Sequence, residues 1–248
     1  MHKEFGGQRV PSDVWTEDDS FDFIKYGHLF VPQDKTVETI ISSVLGDNRT
    51  PRKMIEFGCG AGRLMFALLE KFPGVELRAV DKSEAMLDAA RDRCRAHGGR
   101  VRFTLADFED TSIFGEMDRY DGAFSVLAIH HLTDDEKRSF FRRIHNALNP
   151  GGVFVYCDMF KPNSPAGWKI AAEEWQREVA EQGRRYGAHD ALKMFEDLKW
   201  NYYANPEGDP SDRPSSLFDV VRWLIEAGFS KCDLHWFAAG HGLISAWK

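Results

Sequence analysis

The sequence lacks the features that mark membrane-spanning, disulfide-stabilised and metal-binding proteins. No apolar run approaches the roughly 18 residues of a membrane-spanning helix, and residues 1–15 hold no apolar stretch typical of a signal peptide. The four cysteines lie far apart with no CxxC pair, so neither a disulfide framework nor a zinc site is predicted. We therefore expect a reduced, cytoplasmic setting, no membrane partner and no bound metal.

An excess of positive charge is also absent. The 248 residues carry a formal net charge of -7, with 32 Lys and Arg against 39 Asp and Glu. Because an acidic surface repels a phosphate backbone, nucleic acid is not the expected partner. Hydrophobic residues make up 43% of the chain, which is typical of a globular protein with one sizeable core. The sequence leaves a homodimer open.

Strand-like and helix-like segments alternate along most of the chain. Strands are predicted at 53–57, 76–80, 101–105, 120–127, 153–159, 231–238 and 243–248. Predicted helices follow the first, second and fourth strands, whereas the connection between the last two is so short that these strands should pair antiparallel. The pattern predicts an α/β fold with a Rossmann-like, doubly wound sheet of seven strands, mostly parallel with an antiparallel last strand.

Two segments fall outside this alternation. Residues 1–34 are predicted to form an arm and lid, with a polar first part and an aromatic second part that begins at Phe21. Residues 162–214 contain two predicted helices and a loop rich in Pro, Gly and Asp, and are too long for a simple crossover. We interpret them as a helical insertion in one domain that spans residues 35–248.

The strongest motif is a glycine-rich loop after the first predicted strand. Glu56 and Phe57 precede Gly58, Cys59, Gly60 and Gly62 in this loop. Glycines let the backbone turn tightly and approach a ligand, and the helix N-terminus that follows offers free N–H groups. The GxGxG spacing differs from the GxGxxG of dinucleotide sites. It favours a nucleoside cofactor that carries an amino acid instead of a pyrophosphate, with Glu56 near the ammonium. A purely structural turn is the alternative.

Polar residues at the ends of the next strands extend the predicted cofactor site. Asp81, about 20 residues after the glycines, suits hydrogen bonds to a ribose diol, although it can also simply cap the next helix. Asp107 can accept the adenine amino group, and Phe108 can pack on the ring. Met86 is a candidate for the adenine wall or the core. The remaining candidates are Lys82 and Ser125.

Two histidines, His130 and His131, come just after the end of the fourth predicted strand. Because ligands of open α/β sheets bind outside the carboxyl ends of the strands, we expect at least one histidine in the cleft. Histidine titrates near neutral pH, so both are candidates for a catalytic general base. A capping or packing pair before the next helix is the alternative.

Five motifs together resemble those of the class I S-adenosylmethionine (SAM) dependent methyltransferases. They are EFGCGAG (56–62), AVDKS (79–83), ADF (106–108), YDGAFSVLAIHHL (120–132) and LNPGGVFVY (148–156), in the family's order. The resemblance covers roughly residues 35–248. It implies SAM as cofactor, S-adenosylhomocysteine as product, and methyl transfer to an acceptor by in-line displacement without a metal.

Two further segments narrow this resemblance. KYGHLFVP (25–32) and AGFSKCDLHWFAAGHGLISAWK (227–248) are similar to a bacterial group of small-molecule methyltransferases. The second segment is also similar to carboxy-SAM synthase, which acts in a tRNA modification pathway. That likeness implies an arginine in the insertion for the extra carboxylate, and residues 195–204 contain none. A carboxy-SAM-synthase-like enzyme, a non-catalytic SAM-binding subunit and a nicotinamide-dependent oxidoreductase are the alternatives.

The acceptor pocket is expected from aromatic residues of the N-terminal segment and the insertion. Tyr26 is the candidate for direct contact with SAM, because aromatic faces favour a sulfonium. The candidate acceptor contacts are Trp168, Trp200, Tyr203 and Trp236. Packing of these rings in the core is the alternative. An enclosed aromatic pocket predicts a compact small molecule as the acceptor.

Overall fold

The computed structural model describes residues 15–47, 50–115 and 119–248, and is built around one β-sheet. Its strands are β1 (Lys53–Phe57), β2 (Glu76–Asp81), β3 (Val101–Leu105), β4 (Tyr120–Val126), β5 (Leu148–Met159), β6 (Lys231–Ala238) and β7 (His241–Trp247). Their order is β3-β2-β1-β4-β5-β7-β6. Strands β1 to β5 run parallel, whereas β7 is antiparallel to β5 and β6. The predicted fold class is confirmed.

Helices cover both faces of this sheet. They are α1 (Glu17–Phe30), α2 (Asp34–Gly46), α3 (Arg63–Lys71), α4 (Glu84–Arg93), α5 (Asp134–Ala147), α6 (Pro165–Tyr186), α7 (Ala191–Asp197) and α8 (Leu217–Glu226). One apolar core joins α5 and α8 to one face, and a second joins α2, α3 and α4 to the other. Strand β1 is apolar along most of its length because these layers bury both of its faces.

The N-terminal segment differs from its prediction as an arm, because it forms a helix from Glu17 onward. Thr16 caps this helix: its hydroxyl accepts the Asp19 N–H, and the Asp19 carboxylate accepts the Thr16 N–H at 2.7 Å. This reciprocal pair is a capping box, a start signal that the mixed aromatic and polar pattern obscured. Residues 1–14 of the predicted arm lie outside the described residues.

The insertion contributes α6 and α7 between β5 and α8. Ser164 caps the N-terminus of α6, and Gly187, with φ of 71°, ends it. The Trp175 indole donates to the Phe30 carbonyl at 2.7 Å, and the Gln182 amide donates to the Leu29 carbonyl at 3.0 Å. The insertion therefore packs on α1, and the two form a third apolar cluster beside the sheet.

None of the described helices combines the length and the apolar character that crossing a membrane requires.

Candidate cofactor and acceptor site

A cleft of about 380 Å³ opens at the carboxyl ends of β1 to β4. Its lining joins the loops that follow these strands to side chains of the N-terminal segment and of the insertion's end. The predicted cofactor residues that line it are Gly58, Gly60, Asp81, Lys82, Met86, Asp107 and Phe108. The parallel sheet brings them together because equivalent strand ends meet at one edge.

The glycine loop lies close to the backbone that follows β4. Gly58 has φ of 67°, and a Cβ atom there would lie 2.3 Å from the Ala128 Cβ, so any side chain would clash. Gly62, at φ of 73°, precedes the first residue of α3. Glycine is therefore required for the loop to pass between β4 and α3 and to present its backbone to the cleft.

Asp81 organises the loop and reaches the cleft. Its carboxylate accepts the Gly60 N–H at 2.9 Å and the Ser83 N–H at 3.0 Å. Burial raises its pKa, and the hydrogen bonds from Ser83 and Gly60 oppose that rise. Ser83, not Asp81, caps α4 through the Met86 N–H. Asp81 therefore holds the loop in shape, and its contact with a ribose stays a prediction.

Glu56 is a buried carboxylate near the end of β1. It is 3% exposed, and its Oε2 has no hydrogen-bond partner among the residues that the structure describes. Burial, followed by the charge of Asp81, raises its pKa well above the ordinary value. An ammonium group beside it would supply both a donor and a compensating charge. This orphaned oxygen and the open glycine cradle fit the amino acid part of SAM.

Glu56 lies beneath the loop and does not line the cleft, and the same holds for three further predicted cofactor residues that support the loop. Cys59 is buried, and Gly62 serves the turn into α3. The Ser125 hydroxyl donates to the Phe57 carbonyl at 2.8 Å and thereby ties β4 to β1. Their roles as direct cofactor contacts stay predictions.

The structure places Tyr26 outside the cleft. Its ring stacks on Phe30 at 5.7 Å, and Lys25 lies over it. Trp15 and Phe23 line the cleft instead, with their rings at 6.1 Å edge to face. Residues three and four apart share a helix face, so Tyr26 and Phe30 lie together on the side of α1 that meets the insertion.

The four predicted acceptor contacts also lie away from this cleft. Trp168 packs on Tyr202 and Tyr203, and Trp200 packs on Phe30 at 5.1 Å. The Tyr203 hydroxyl donates to the Gly240 carbonyl at 2.6 Å, and the Trp236 indole donates to Gln33. Trp168, Trp200 and Tyr203 belong to the apolar cluster of α1 and the insertion, whereas Trp236 packs on the core of α2, α3 and α4. Packing was the alternative interpretation of their sequence pattern.

His130 is held between two carboxylates. It lies in a short 3₁₀ turn (Ile129–His131) after β4, where its Nδ1 donates to Asp158 at 2.5 Å and its Nε2 pairs with Asp212 at 3.1 Å. Burial alone would lower its pKa, but the charges and hydrogen bonds of Asp158 and Asp212 outweigh this and raise it to about 10. His130 is therefore a buried cation.

His131 is neutral and lines the cleft. Burial, together with the positive charge of His130, lowers its pKa to about 4. Its Nδ1 lies 3.0 Å from the Ser211 carbonyl, which can only accept, so the ring proton resides on Nδ1. Nε2 is left as the acceptor nitrogen of the ring. Trp15 packs against this ring at a centroid distance of 5.0 Å.

The histidine pair also has the dimensions of a metal site. One donor atom from each of His130, His131 and Asp212 lies within 4.8 Å of the others. The His131 Nδ1 already lies near the Ser211 carbonyl, and both ring nitrogens of His130 are paired with the carboxylates of Asp158 and Asp212. The arrangement is complete as an ion pair, and the absence of a metal stays a prediction.

Sequence reasoning missed several residues of the site. Asp158 could have been predicted from the sequence, because it lies at the carboxyl end of β5 next to the predicted cleft. Trp15 belonged to a segment predicted as a polar arm. Ser211, Asp212 and Arg213, at the end of the insertion, carry no motif that marks them.

The comparisons with known proteins agree with this geometry. Residues 54–152 match the family model of a methyltransferase domain. The chain is 30% identical over 103 residues to a carboxy-SAM synthase of Campylobacter lari, a match that spans 42% of either protein. It is 27% identical over 181 residues to an uncharacterized methyltransferase of Oceanobacillus iheyensis, which covers 66% of this chain and 80% of that protein.

Solved structures share the fold at low identity. PigF with S-adenosylhomocysteine has a TM-score of 0.61 at 20% identity, over 94% of this chain and 60% of PigF. Human N-acetylserotonin methyltransferase in complex with SAM has a TM-score of 0.58 at 15% identity, over 94% and 56%. These likenesses show that the fold is shared. The matched domain at residues 54–152 and the curated relatives support a class I SAM-dependent methyltransferase with SAM as its cofactor.

Proposed function

We propose that this chain transfers the methyl group of SAM to a hydroxyl oxygen of a small-molecule acceptor. The observation that carries the proposal is His131, a neutral imidazole that lines the cleft with its proton fixed on Nδ1. Its Nε2 can accept the proton of a hydroxyl bound beside the methyl group. The sequence motifs alone leave the acceptor open, whereas an acceptor nitrogen at this place suits a nucleophile that must lose a proton.

The reaction is an in-line displacement. The acceptor oxygen forms a bond to the methyl carbon, the carbon–sulfur bond breaks, and its electron pair stays on sulfur to give neutral S-adenosylhomocysteine. The hydroxyl proton becomes strongly acidic as the new bond forms and passes to His131, so an imidazole of low pKa suffices. Alignment in a dry cleft supplies most of the rate, roughly 7–11 kcal/mol in favourable cases.

The walls of the cleft support a compact acceptor. Trp15, Phe23 and Leu132 give the space beside His131 an apolar surface, and the whole cleft of about 380 Å³ must also hold SAM. Little room remains for a polymer segment, and the net charge of -7 disfavours a polyanion. A cytoplasmic location and a homodimer stay predictions of the sequence.

The test is to offer SAM with a labelled methyl group to a small-metabolite extract, total RNA, genomic DNA and a denatured proteome. We expect label in the metabolite fraction, on oxygen by mass spectrometry. His131→Ala should lose it, whereas His189→Ala, which changes an exposed histidine between α6 and α7, should retain it. Label chiefly in a polymer, or on nitrogen or carbon, would contradict the proposal.

A second candidate is the binding of carboxy-SAM, the product for which the relative from Campylobacter lari is named. The observation in its favour is Arg213, an arginine of the insertion that lines the cleft although residues 195–204 hold none. Calorimetry with SAM and carboxy-SAM separates the two. Tighter binding of carboxy-SAM that Arg213→Gln abolishes would favour this candidate, and a preference for SAM would exclude it.

A further inference from the structure

The end of the insertion closes over the histidine turn. The Arg213 N–H donates to the His130 carbonyl at 3.1 Å, and the Ser211 carbonyl accepts from His131. The ammonium of Lys137, on α5, donates to the Arg213 carbonyl and, at 2.8 Å, to the Ser215 hydroxyl. We call residues 211–215 the strap. These hydrogen bonds join the end of the insertion to the turn after β4 that carries His131, the proposed proton acceptor.

Asp212 lies in the strap, and its carboxylate faces both imidazoles. Its Oδ1 lies 3.1 Å from the His130 Nε2 and 3.5 Å from the His131 Nδ1. Its side chain is only 16% exposed, so solvent screens this carboxylate weakly. One oxygen atom thus sets the electrostatic environment of two ring nitrogens.

We propose that Asp212 is a positioning residue that keeps the ring proton of His131 on Nδ1 and thereby leaves Nε2 unprotonated toward the acceptor. A negative oxygen beside Nδ1 attracts an N–H and repels a lone pair, so it favours the same tautomer as the Ser211 carbonyl. Asp212 also helps to keep His130 cationic. The inference rests on the proposed function of His131 as proton acceptor.

The other charged groups around the pair are consistent with this role. Asp158, from the end of β5, holds His130 on the side away from Asp212 and also accepts the backbone N–H groups of Ile129 and His130. Lys137 lies fully buried nearby and binds the strap rather than either ring. Asp158 therefore orients His130, whereas Asp212 is the carboxylate near the proton of His131.

Two substitutions separate positioning from a merely structural role. Asp212→Asn preserves the shape of the side chain but removes its negative charge. The new amide can donate a hydrogen bond to His131 Nδ1, which would favour the tautomer with the ring proton on Nε2. Asp212→Ala removes the group and leaves the Ser211 carbonyl to hold the proton. We expect the kcat of the Asn variant to fall at least as far as that of the Ala variant. The loss should be at least about 10-fold and at most the 10²–10⁴-fold that a general base supplies. A structural spacer would give the reverse order.

The decisive readout is the tautomer itself, from ¹⁵N NMR of the histidine side chains in the full chain with S-adenosylhomocysteine bound. At pH 7.5 we expect a doubly protonated His130 and a neutral His131 protonated at Nδ1, and a change of the His131 pattern in Asp212→Asn. The affinity for S-adenosylhomocysteine should stay within about twofold. Asp190→Asn, an exposed aspartate of the same insertion, should change nothing.

Each outcome has a distinct meaning. An unchanged His131 tautomer together with wild-type kcat in Asp212→Asn would overturn the positioning role. Nε2 protonation in the wild-type protein would overturn the proposed function itself. Loss of activity on chelation, with recovery on Zn²⁺ addition, would identify His130, His131 and Asp212 as a metal centre and would also overturn the inference.

Discussion

At the scale of single residues, the two adjacent histidines have opposite charge states because their surroundings differ. His130 is paired with Asp158 and Asp212, whereas His131 is paired with a neutral carbonyl and lies beside the positive ring of His130 at 4.1 Å. An imidazole that must accept a proton has to be neutral first. The sequence predicted both as bases, and the structure favours a division of roles.

The first prediction concerns this division. His131→Ala should lower kcat by about 10²–10⁴, the usual contribution of a general base, with little change in the affinity for SAM. His130→Gln should instead lower the melting temperature, because it leaves two buried carboxylates without their cation. Steady-state kinetics and thermal denaturation of both variants check this. Equal kinetic losses in two equally stable variants would contradict it.

A second prediction concerns Asp81. Asp81→Ala should weaken the binding of S-adenosylhomocysteine by roughly 1.5–3 kcal/mol, because it removes both the ribose contacts and the bond that holds Gly60. Calorimetry measures the affinity. Asp233→Ala, on the edge strand β6, is the matched control and should bind normally. An unchanged affinity in Asp81→Ala would remove the ribose assignment.

At the scale of elements, α1 is anchored at the cofactor end of the cleft. The Glu17 carboxylate accepts the Ser83 hydroxyl at 2.8 Å and the Glu84 N–H at 3.0 Å, and so completes the N-terminus of α4. Trp15 and Phe23 extend from this segment over the cleft. Trp15 and Phe23 therefore form part of the cleft wall, and the role of this segment as a lid stays a prediction.

The third prediction is that residues 15–30 become more protected from hydrogen exchange when S-adenosylhomocysteine binds, because the cofactor adds contacts beneath them. Helix α8 packs with α5 in one core and does not line the cleft, so it serves as the internal control. Glu17→Ala should reduce the protection of this segment and leave that of α8 unchanged. The same exchange with and without ligand would show that α1 is a fixed wall.

At the scale of the whole molecule, the buried histidines make stability depend on pH in both directions. The pKa of His130 is raised to about 10, so its contribution is complete below its ordinary value and is lost as the pH rises toward 10. The pKa values of His131 and His241 are lowered to about 4, so their contributions are lost as the pH falls toward 4. The joint contribution of these three histidines to stability should therefore be largest near pH 6.5–7.

The fourth prediction follows from these signs. The melting temperature should fall on both sides of the maximum, and His130→Gln should be less stable at pH 6.5 but show a flatter profile between pH 7 and 10. The alkaline loss should be on the order of a few kcal/mol, since one pKa unit corresponds to about 1.4 kcal/mol. Scanning calorimetry across pH 4–10 measures both. The buried Lys137, whose pKa is lowered to about 8 by burial, opposes this loss in both proteins, so the comparison between them is decisive. The same change in stability between pH 7 and 10 in the wild-type protein and in His130→Gln would contradict the charge assigned to His130.

Local periodicity and fixed spacing within successive βα units were enough to predict the sheet, the glycine loop and the position of the candidate cofactor residues at the strand ends. The sequence could not predict which aromatic rings reach the cleft or which histidine is neutral. Both depend on contacts between distant segments: His130 meets Asp158 from β5 and Asp212 from the insertion. Charge and proton position at such a site are set by neighbours that no local pattern reveals.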